Sequence, residues 1–336
     1  MPPDPAIFHD QQSAHYADTC DPLKEAAQRG EVKVSAWSQA PYPGRRLATG
    51  FLPQVRSIGV WDASHAQSWG LDRHCNEGIE FTYLARGKTA FESDGKCHTL
   101  ESGHLTITRP WQLHQVGNPQ VSASRLHWLI LDVDVRRPNQ TWKWPDWLLF
   151  SADELDRLTQ LLQHNEESVW QADPEVTRIF TRLIELVENR QPAGNETRLK
   201  LYINEFLLAV LAMLEGNKIT LDKHLSTSQR VVEMFLQALP DHAAHDWDLN
   251  SMAKQCGLSR SQFSHYCRTT TNRTPIEYLN ACRIRMAARL LAEKTEMNIT
   301  EVAHACGYHS SQYFATSFLA LQGCSPTDFR TRSAGE

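Results

Sequence analysis

Two histidines and one glutamate in the first half of the chain could act together as a binding site. Two imidazoles and a carboxylate, from His74, Glu80 and His114, suit a divalent metal with open coordination positions if they converge. Asn76 lies between the first two and is a weak ligand, so we favour a pocket for a small polar molecule and assign no metal or cofactor. A purely structural cluster is the third alternative. The predicted ligand-binding residues are His74, Glu80, Thr82, Trp111, His114 and Trp128.

A repeat at an offset of 50 residues marks the last hundred residues. The matched pairs are Leu249 and Ile299, Met252 and Val302, Ala253 and Ala303, Cys256 and Cys306, Gly257 and Gly307, Ser261 and Ser311, and Gln262 and Gln312. Each copy has the apolar period of a short helix, then a glycine suited to a left-handed turn, then a second helix. The repeat therefore predicts two helix-turn-helix units, at about 249–268 and 299–319.

Details of the two copies indicate which side chains are buried. Ser259 and Gln262 have the spacing of a capping box at the start of the second helix of the first copy. In the second copy, Tyr313 is expected to face inward with Phe314 and Phe318. A helix from about 276 to 294 joins the copies and can act as a rigid spacer.

Two rigidly spaced units can enter neighbouring major grooves of one DNA site, which lie about 34 Å apart. Amide, hydroxyl, imidazole and guanidinium groups can bond base edges or phosphates. Arg283 is expected either to contact a phosphate or to pack between helices. The predicted DNA-binding residues are Arg260, Ser261, Gln262, Ser264, His265, Ser311, Gln312, Thr316 and Arg283.

The segments upstream have to position the first group of residues. Short alternating runs from about residue 50 to 137 predict a β-barrel or sandwich. Helical periodicity follows from 151 to 214, with a capping box at Ser151 and Glu154 and Pro174 in a first turn. Residues 1 to about 40 are expected to be a movable arm or a disordered tail.

Composition limits the class of protein. The chain has 336 residues and a net charge of -5, but residues 241–336 carry ten Lys or Arg against nine Asp or Glu. Eight scattered cysteines without a close pair predict reduced thiols. The start has no signal-peptide pattern and no run approaches 18 apolar residues, so we expect a cytoplasmic protein without membrane contact.

The last third of the chain resembles the DNA-binding domain of the AraC/XylS family of transcription regulators. The residues that carry the resemblance are Ala253, Gly257, Leu258, Ser259, Phe263, Arg283, Ala287, Leu290, Leu291, Ile299, Ala303, Gly307, Tyr308, Tyr313, Phe314, Phe318, Gly323, Pro326, Phe329 and Arg330. The resemblance implies base contacts by Ser261, Ser264 and His265 in the first unit and by Ser311, Gln312 and Thr316 in the second.

The region from His74 to Asn118 resembles a cupin, the small β-barrel that often forms the sensing half of such regulators. His74, Asn76, Glu80 and Gly87 follow the first cupin motif, with Asn76 in place of its second histidine. We therefore expect an α+β protein. A cupin-like sensing and dimerisation domain spans 1–215, a linker 216–228, and an all-α domain with two helix-turn-helix units 229–336.

We predict that the protein is a DNA-binding transcription regulator and not an enzyme. We expect an activator that is controlled by a small polar effector, most readily a carbohydrate, and that acts as a homodimer with RNA polymerase as a partner. One alternative is a metal-dependent cupin enzyme with a DNA-binding appendage, which would need a metal set and a proton-transfer group. The other is a DNA-binding protein with a ligandless barrel.

Overall fold

The computed structural model describes residues 20–39, 42–294 and 296–333, which divide into two units between residues 226 and 227. The elements of the N-terminal unit are α1 (Asp21–Gln28), β1 (Lys33–Ser38), β2 (Arg45–Arg46), β3 (Val55–Ala63), β4 (Gly78–Ser93), β5 (Lys96–Glu101), β6 (His104–Thr108), β7 (His114–Val116), β8 (Ser124–Asp132), α2 (Ala152–Gln163), β9 (Val169–Gln171), α3 (Pro174–Asn189) and α4 (Glu196–Glu215). Strands followed by helices agree with the predicted cupin-like half.

The longest strand, β4, belongs to two sheets. Its first part pairs with β8 and β6, and its last part, from Lys88, pairs with β5 and β7. A register shift between Leu84 and Arg86 is followed by Gly87, whose φ of 94° and close approach to Ala123 exclude a side chain. A bulge and a glycine bend a strand strongly, and this bend lets β4 connect the two sheets into a barrel.

The segment before residue 40 corrects one expectation from the sequence. In its described part, α1 is followed by β1, which pairs with β3 along its whole length, from Lys33 opposite Asp62 to Ser38 opposite Ser57. Residues 33–38 are therefore neither a free arm nor a disordered tail, and the sheet begins earlier than about residue 50. Residues 1–19 of the same expectation lie outside the described residues.

The three helices predicted after the barrel are present. Ser151 and Glu154 form the expected capping box of α2, and Pro174 is the first residue of α3. Phe206 of α4 packs against Phe180 of α3 and Phe81 of β4, with ring centroids 4.8 and 5.2 Å apart. These rings attach the helices to the barrel.

In the part of the C-terminal unit that the structure describes, every regular element is a helix. Its helices are α5 (Ser228–Ala238), α6 (Leu249–Gln255), α7 (Arg260–Thr271), α8 (Pro275–Glu293), α9 (Ile299–Ala305), α10 (Ser311–Gln322) and α11 (Pro326–Ser333). The pairs α6–α7 and α9–α10 are the two predicted helix-turn-helix units, and α8 is the predicted spacer. Within the described residues, no helix is long and apolar enough to cross a membrane.

The turns of the two units follow the predicted chemistry. Gly257 and Gly307 have φ values of 65° and 80°, which are left-handed. Ser259 and Gln262 form a capping box. The prediction for Tyr313 is wrong: its side chain is 54% exposed, and its hydroxyl accepts a hydrogen bond from Asn280 at 3.2 Å. Tyr313 lies in the first turn of α10, whose residues are exposed, and the first buried side chain of this helix is that of Phe314.

Candidate nucleic-acid interface and ligand cavity

The exposed side of α7 begins at a capped helix end. Ser259 accepts from the backbone nitrogen of Gln262 at 3.3 Å, and Gln262 Oε1 accepts from the hydroxyl of Ser259 at 2.9 Å. Gln262 therefore uses its acceptor in the cap and keeps only its amide hydrogens for another partner. Arg260, Ser261 and His265 are exposed, while Ser264 is half-buried. This side of α7 offers donors of the kind that bond base edges and phosphates.

The second unit presents a similar side on α10. Ser311, Gln312 and Thr316 are exposed, and Ser310 caps the helix by accepting from the backbone nitrogen of Tyr313. Thr316 donates its hydroxyl hydrogen to the carbonyl of Gln312. Among the described residues, none makes a hydrogen bond to the side-chain amide of Gln312. That amide can both donate and accept, as bidentate reading of a base requires.

Arg283 does not belong to either exposed side. It is 9% exposed, and its guanidinium donates to the carbonyls of Ala243 and His245 at 2.8 and 2.7 Å. Burial lowers the pKa of this arginine. We predicted two roles for Arg283, a phosphate contact and helix packing. The structure supports helix packing, because the side chain is buried and its Nε and Nη2 atoms donate to backbone carbonyls of the same unit.

The barrel contains a partly open cavity. Its lining consists of Cys20, Leu23, Tyr42, Pro43, Ser57, Trp61, Leu71, His74, Asn76, Glu80, Thr82, Val116, Leu126, Trp128 and Ile130. Four of the six predicted ligand residues are in this set. Trp61 and Trp128 form an aromatic wall with ring centroids 6.3 Å apart, and Trp128 donates to the hydroxyl of Ser57 at 2.8 Å. The cavity therefore combines apolar walls with a few fixed polar groups.

Two predicted ligand residues lie elsewhere. Trp111 is buried outside the lining, and its indole nitrogen donates to the carbonyl of Val135 at 3.0 Å, so its assignment to the cavity is corrected. His114 lies behind the lining in contact with Glu80. Sequence reasoning missed Tyr42, Ser57 and Trp61, which come from the segment before the predicted motif. The alternating pattern of residues 55–63 was the available signal for Ser57 and Trp61.

The polar floor of the cavity, defined as the lining residues His74 and Glu80 together with His114 behind them, is held by hydrogen bonds. His114 Nε2 is 3.1 Å from Glu80 Oε2, and Asn76 and Thr82 donate to the same carboxylate at 2.8 and 3.2 Å. The ligand-type atoms of the three residues all lie within 4.8 Å of one another. The convergence that the sequence suggested is thus present.

Electrostatics differ among the three residues. Burial raises the pKa of Glu80, but the charge of His114 and its hydrogen bond to the carboxylate outweigh burial. Together they lower the pKa of Glu80 to about 2. Burial would lower the pKa of His114, yet its bond to Glu80 raises that pKa above the usual value. Burial, aided by His114, lowers the pKa of His74 to about 4. At neutral pH, the polar floor therefore contains a carboxylate and at least one neutral imidazole.

Comparisons with known proteins point to the same two halves. Residues 63–203 match a family model described as an AraC-like ligand binding domain, and residues 252–332 match one described as a helix-turn-helix domain. The HTH-type transcriptional activator RhaS of Escherichia coli (strain SE11) is 28% identical over 192 residues, which cover 57% of this chain and 68% of that protein.

Two solved structures are similar to about a third of this chain. A DNA-binding transcriptional dual regulator from Escherichia coli K-12 is 29% identical and covers 32% of this chain and 94% of its own, with a TM-score of 0.29. The DNA-binding domain of AdpA, in complex with a target DNA, is 26% identical and covers 31% and 93%, with a TM-score of 0.30.

Proposed function

The chain belongs to the AraC/XylS family of transcription regulators, and we propose that it activates promoters under the control of an effector bound in the barrel cavity. The observation that carries this proposal is the combination of a lined cavity in one unit and two exposed helix-turn-helix sides in the other. An effector controls such a protein only if it binds two states of the protein with different affinity.

Both helix-turn-helix units read one DNA site in this proposal. The spacer α8 has 19 residues and is about 28 Å long at 1.5 Å per residue. Major grooves on one side of a duplex recur about every 34 Å, so a stiff helix of this length suits insertion of α7 and α10 into neighbouring grooves. Arg260, Ser261, Gln262, Ser264 and His265 serve the first groove; Ser311, Gln312 and Thr316 serve the second.

Selection from a pool of random DNA duplexes tests this reading. The full-length protein should enrich a site with two sequence blocks about one helical turn, roughly 10 base pairs, apart. Enrichment of no sequence, or of a single block, would contradict reading by two units. The enriched site then supplies the probe for footprinting with and without effector.

We propose a carbohydrate as the effector. Trp61 and Trp128 present faces on which a sugar ring can stack, and Asn76, Glu80 and Thr82 supply polar atoms for its hydroxyl groups. A ligand that binds the native state raises its apparent melting temperature. A thermal-shift screen of the full-length protein against mono- and disaccharides should therefore identify one that stabilises it.

A pair of tryptophan variants makes this screen specific. Trp128→Ala should abolish the shift produced by the sugar, whereas Trp147→Ala, which changes a half-buried tryptophan outside the cavity lining, should retain it. If no sugar stabilises the protein, or if both variants respond as the wild type does, the carbohydrate proposal is wrong. Non-sugar polar metabolites would then be the next group to screen.

Two further parts of the proposal concern partners. Transcription in vitro with bacterial RNA polymerase should increase when the effector is added, and a decrease would identify a repressor. We also propose a homodimer formed through α4. Leu201 and Leu208 lie on one side of that helix, two turns apart, and are 53% and 43% exposed. Pairing with a second copy of this chain would bury both leucines.

A further inference from the structure

The polar floor of the cavity is assembled by the backbone. His74 precedes β4, Glu80 lies in β4, and His114 begins β7. A pair of backbone hydrogen bonds of 2.9 Å joins His74 and His114 directly, and their rings lie 4.4 Å apart between centroids. The two imidazoles are therefore held side by side by the chain itself, whatever occupies the cavity.

Both imidazoles are oriented in the same way. The Nδ1 atom of His74 is 2.7 Å from the carbonyl of Asp72, and that of His114 is 2.9 Å from the carbonyl of Gln112. A carbonyl only accepts hydrogen bonds, so each Nδ1 carries a hydrogen and each Nε2 is left as the ligand atom of the neutral ring. Metal-binding histidines are held in this tautomer by the same kind of bond.

The carboxylate is also oriented. Asn76 donates to one oxygen of Glu80 and Thr82 to the other, which fixes the plane of the group beside the Nε2 atom of His114. Two donors that each lie about 2.1 Å from one ion are at most about 4.2 Å apart. The observed limit of 4.8 Å is close enough that small rotations of the side chains complete the set.

We propose that His74, Glu80 and His114 bind a divalent transition-metal ion whose open coordination positions face the cavity. Two imidazole nitrogens and one carboxylate suit zinc, iron, cobalt, nickel or manganese, whereas magnesium and calcium prefer oxygen ligands alone.

A bound ion would change the chemistry of the cavity. None of the described residues that line it is Lys or Arg, so the ion would be its source of positive charge. His74 and Glu80 are in the lining, which places the open positions on the cavity side. An effector would then bind through an oxygen donor, such as a carboxylate or paired hydroxyl groups. This last step rests on the proposed effector function; the metal site itself does not.

Titration of the metal-free, full-length protein with Co²⁺ tests the site, because bound cobalt has a visible absorption spectrum. We expect one ion per chain, displacement by Zn²⁺, and no competition by excess Mg²⁺. His74→Gln and Glu80→Gln should each weaken binding at least about tenfold. His98→Gln, which changes a half-buried histidine of β5 outside the cluster, is the matched control and should bind as the wild type does. Melting curves of all variants verify folding.

X-ray absorption of the zinc-loaded wild type gives a test that needs no variant. Nitrogen and oxygen ligands at about 2.0–2.2 Å, without sulfur, are expected. Sulfur in the shell, binding below one ion per chain, or binding unchanged in His74→Gln would each overturn the proposal. Selection of DNA sites by the metal-free protein is a separate measurement that does not depend on the metal site. A failure of the metal site is therefore distinguishable from a failure of the proposed function.

Discussion

Arg283 donates its Nε hydrogen to the backbone carbonyl of Ala243 across a distance of 2.8 Å. A second donation reaches the carbonyl of His245, and the guanidinium lies 5.6 Å from the ring centroid of Tyr308. One side chain of α8 thus connects the loop before α6 to the second helix-turn-helix unit. Arg283 therefore stabilises the unit that carries α7 and α10, the two helices proposed to contact DNA bases.

Replacing this arginine should lower the stability of the C-terminal unit. Arg283→Ala leaves the buried carbonyl of Ala243 and the half-buried carbonyl of His245 without their charged donor, and we expect a loss of about 2–4 kcal/mol in the free energy of unfolding. Urea denaturation of the full-length protein, followed by hydrogen exchange at the backbone amides of α8, measures it. Arg289→Ala, an exposed arginine of the same helix, should change stability by less than about 0.5 kcal/mol. Equal effects of the two variants would refute the packing role.

A pair of glycines separates backbone strain from steric clash. Gly307 and Gly323 both have left-handed φ values, so alanine costs about 1 kcal/mol at either position. A Cβ at Gly307 would also lie 2.4 Å from the carbonyl oxygen of Ala244, whereas a Cβ at Gly323 meets nothing within 4 Å. We expect Gly307→Ala to be about 1–3 kcal/mol less stable than Gly323→Ala. Thermal unfolding measures the stability of both variants, and an equal loss of stability in the two would contradict this prediction.

Base preference should change at separate positions when each proposed reading helix is altered. His265→Ala should relax preference in one block of the selected site and Gln312→Ala in the other, each with a loss of about 1–3 kcal/mol for the preferred base. Binding to single-base variants of the site measures this. Thr270→Ala, an exposed change near the end of α7, is the control. Changes confined to one block for both variants would exclude reading by two units.

Acid should destabilise the N-terminal unit through His127. Its ring is buried between Tyr83 and Phe180, and burial, with the charge of Arg125, lowers its pKa to about 3 from 6.5. The unfolded chain takes up a proton below pH 6.5 while the folded chain does not, so stability is complete above that pH and is lost as pH falls toward 3. The loss is about 1.4 kcal/mol per pH unit, or about 2 kcal/mol at pH 5.

His127→Leu should remove this contribution, because leucine has no proton to gain. Urea unfolding at pH 7 and pH 5 compares the two proteins, and the variant should lose about 2 kcal/mol less than the wild type on acidification. The difference between the proteins isolates this residue from other titrating groups. Parallel losses in the two proteins would show that His127 is not responsible.

Self-association should depend on the exposed leucines of α4. Leu208→Glu puts a charge at the centre of the proposed contact between two copies and should convert a dimer into a monomer in sedimentation equilibrium. Leu221→Glu changes a leucine that is 41% exposed and lies after the end of α4, and it should leave the dimer intact. A wild type that is monomeric at micromolar concentration would refute the dimer directly.

The C-terminal unit could be predicted closely because its signals are local. A capping box such as that of Ser259 and Gln262 involves residues three apart, and a left-handed glycine such as Gly257 depends on its own backbone angles. The repeat added a second copy of each signal. Tyr313 was misplaced because apolar character alone does not say whether a residue at a helix start reaches the core.

The cavity could be predicted only in part. Local motifs identified His74, Glu80 and Thr82, and Trp128 was found by its aromatic character. Trp111 was assigned wrongly, because its position depends on the carbonyl of Val135, which approaches it from a later segment. Tyr42 and Trp61 were missed, since only the pairing of β1 with β3 brings their segments to the barrel.

From about residue 50 onward, the amino-acid order alone indicated the order of the β-rich and helical segments and the duplicated unit, since propensities, caps and turns act within a few residues. Tertiary structure decided which groups meet: the burial of Arg283 against Ala243 and the convergence of His74, Glu80 and His114 both require contacts between distant segments. Strand register and loop placement set such contacts, and they arise from the packing of the whole core.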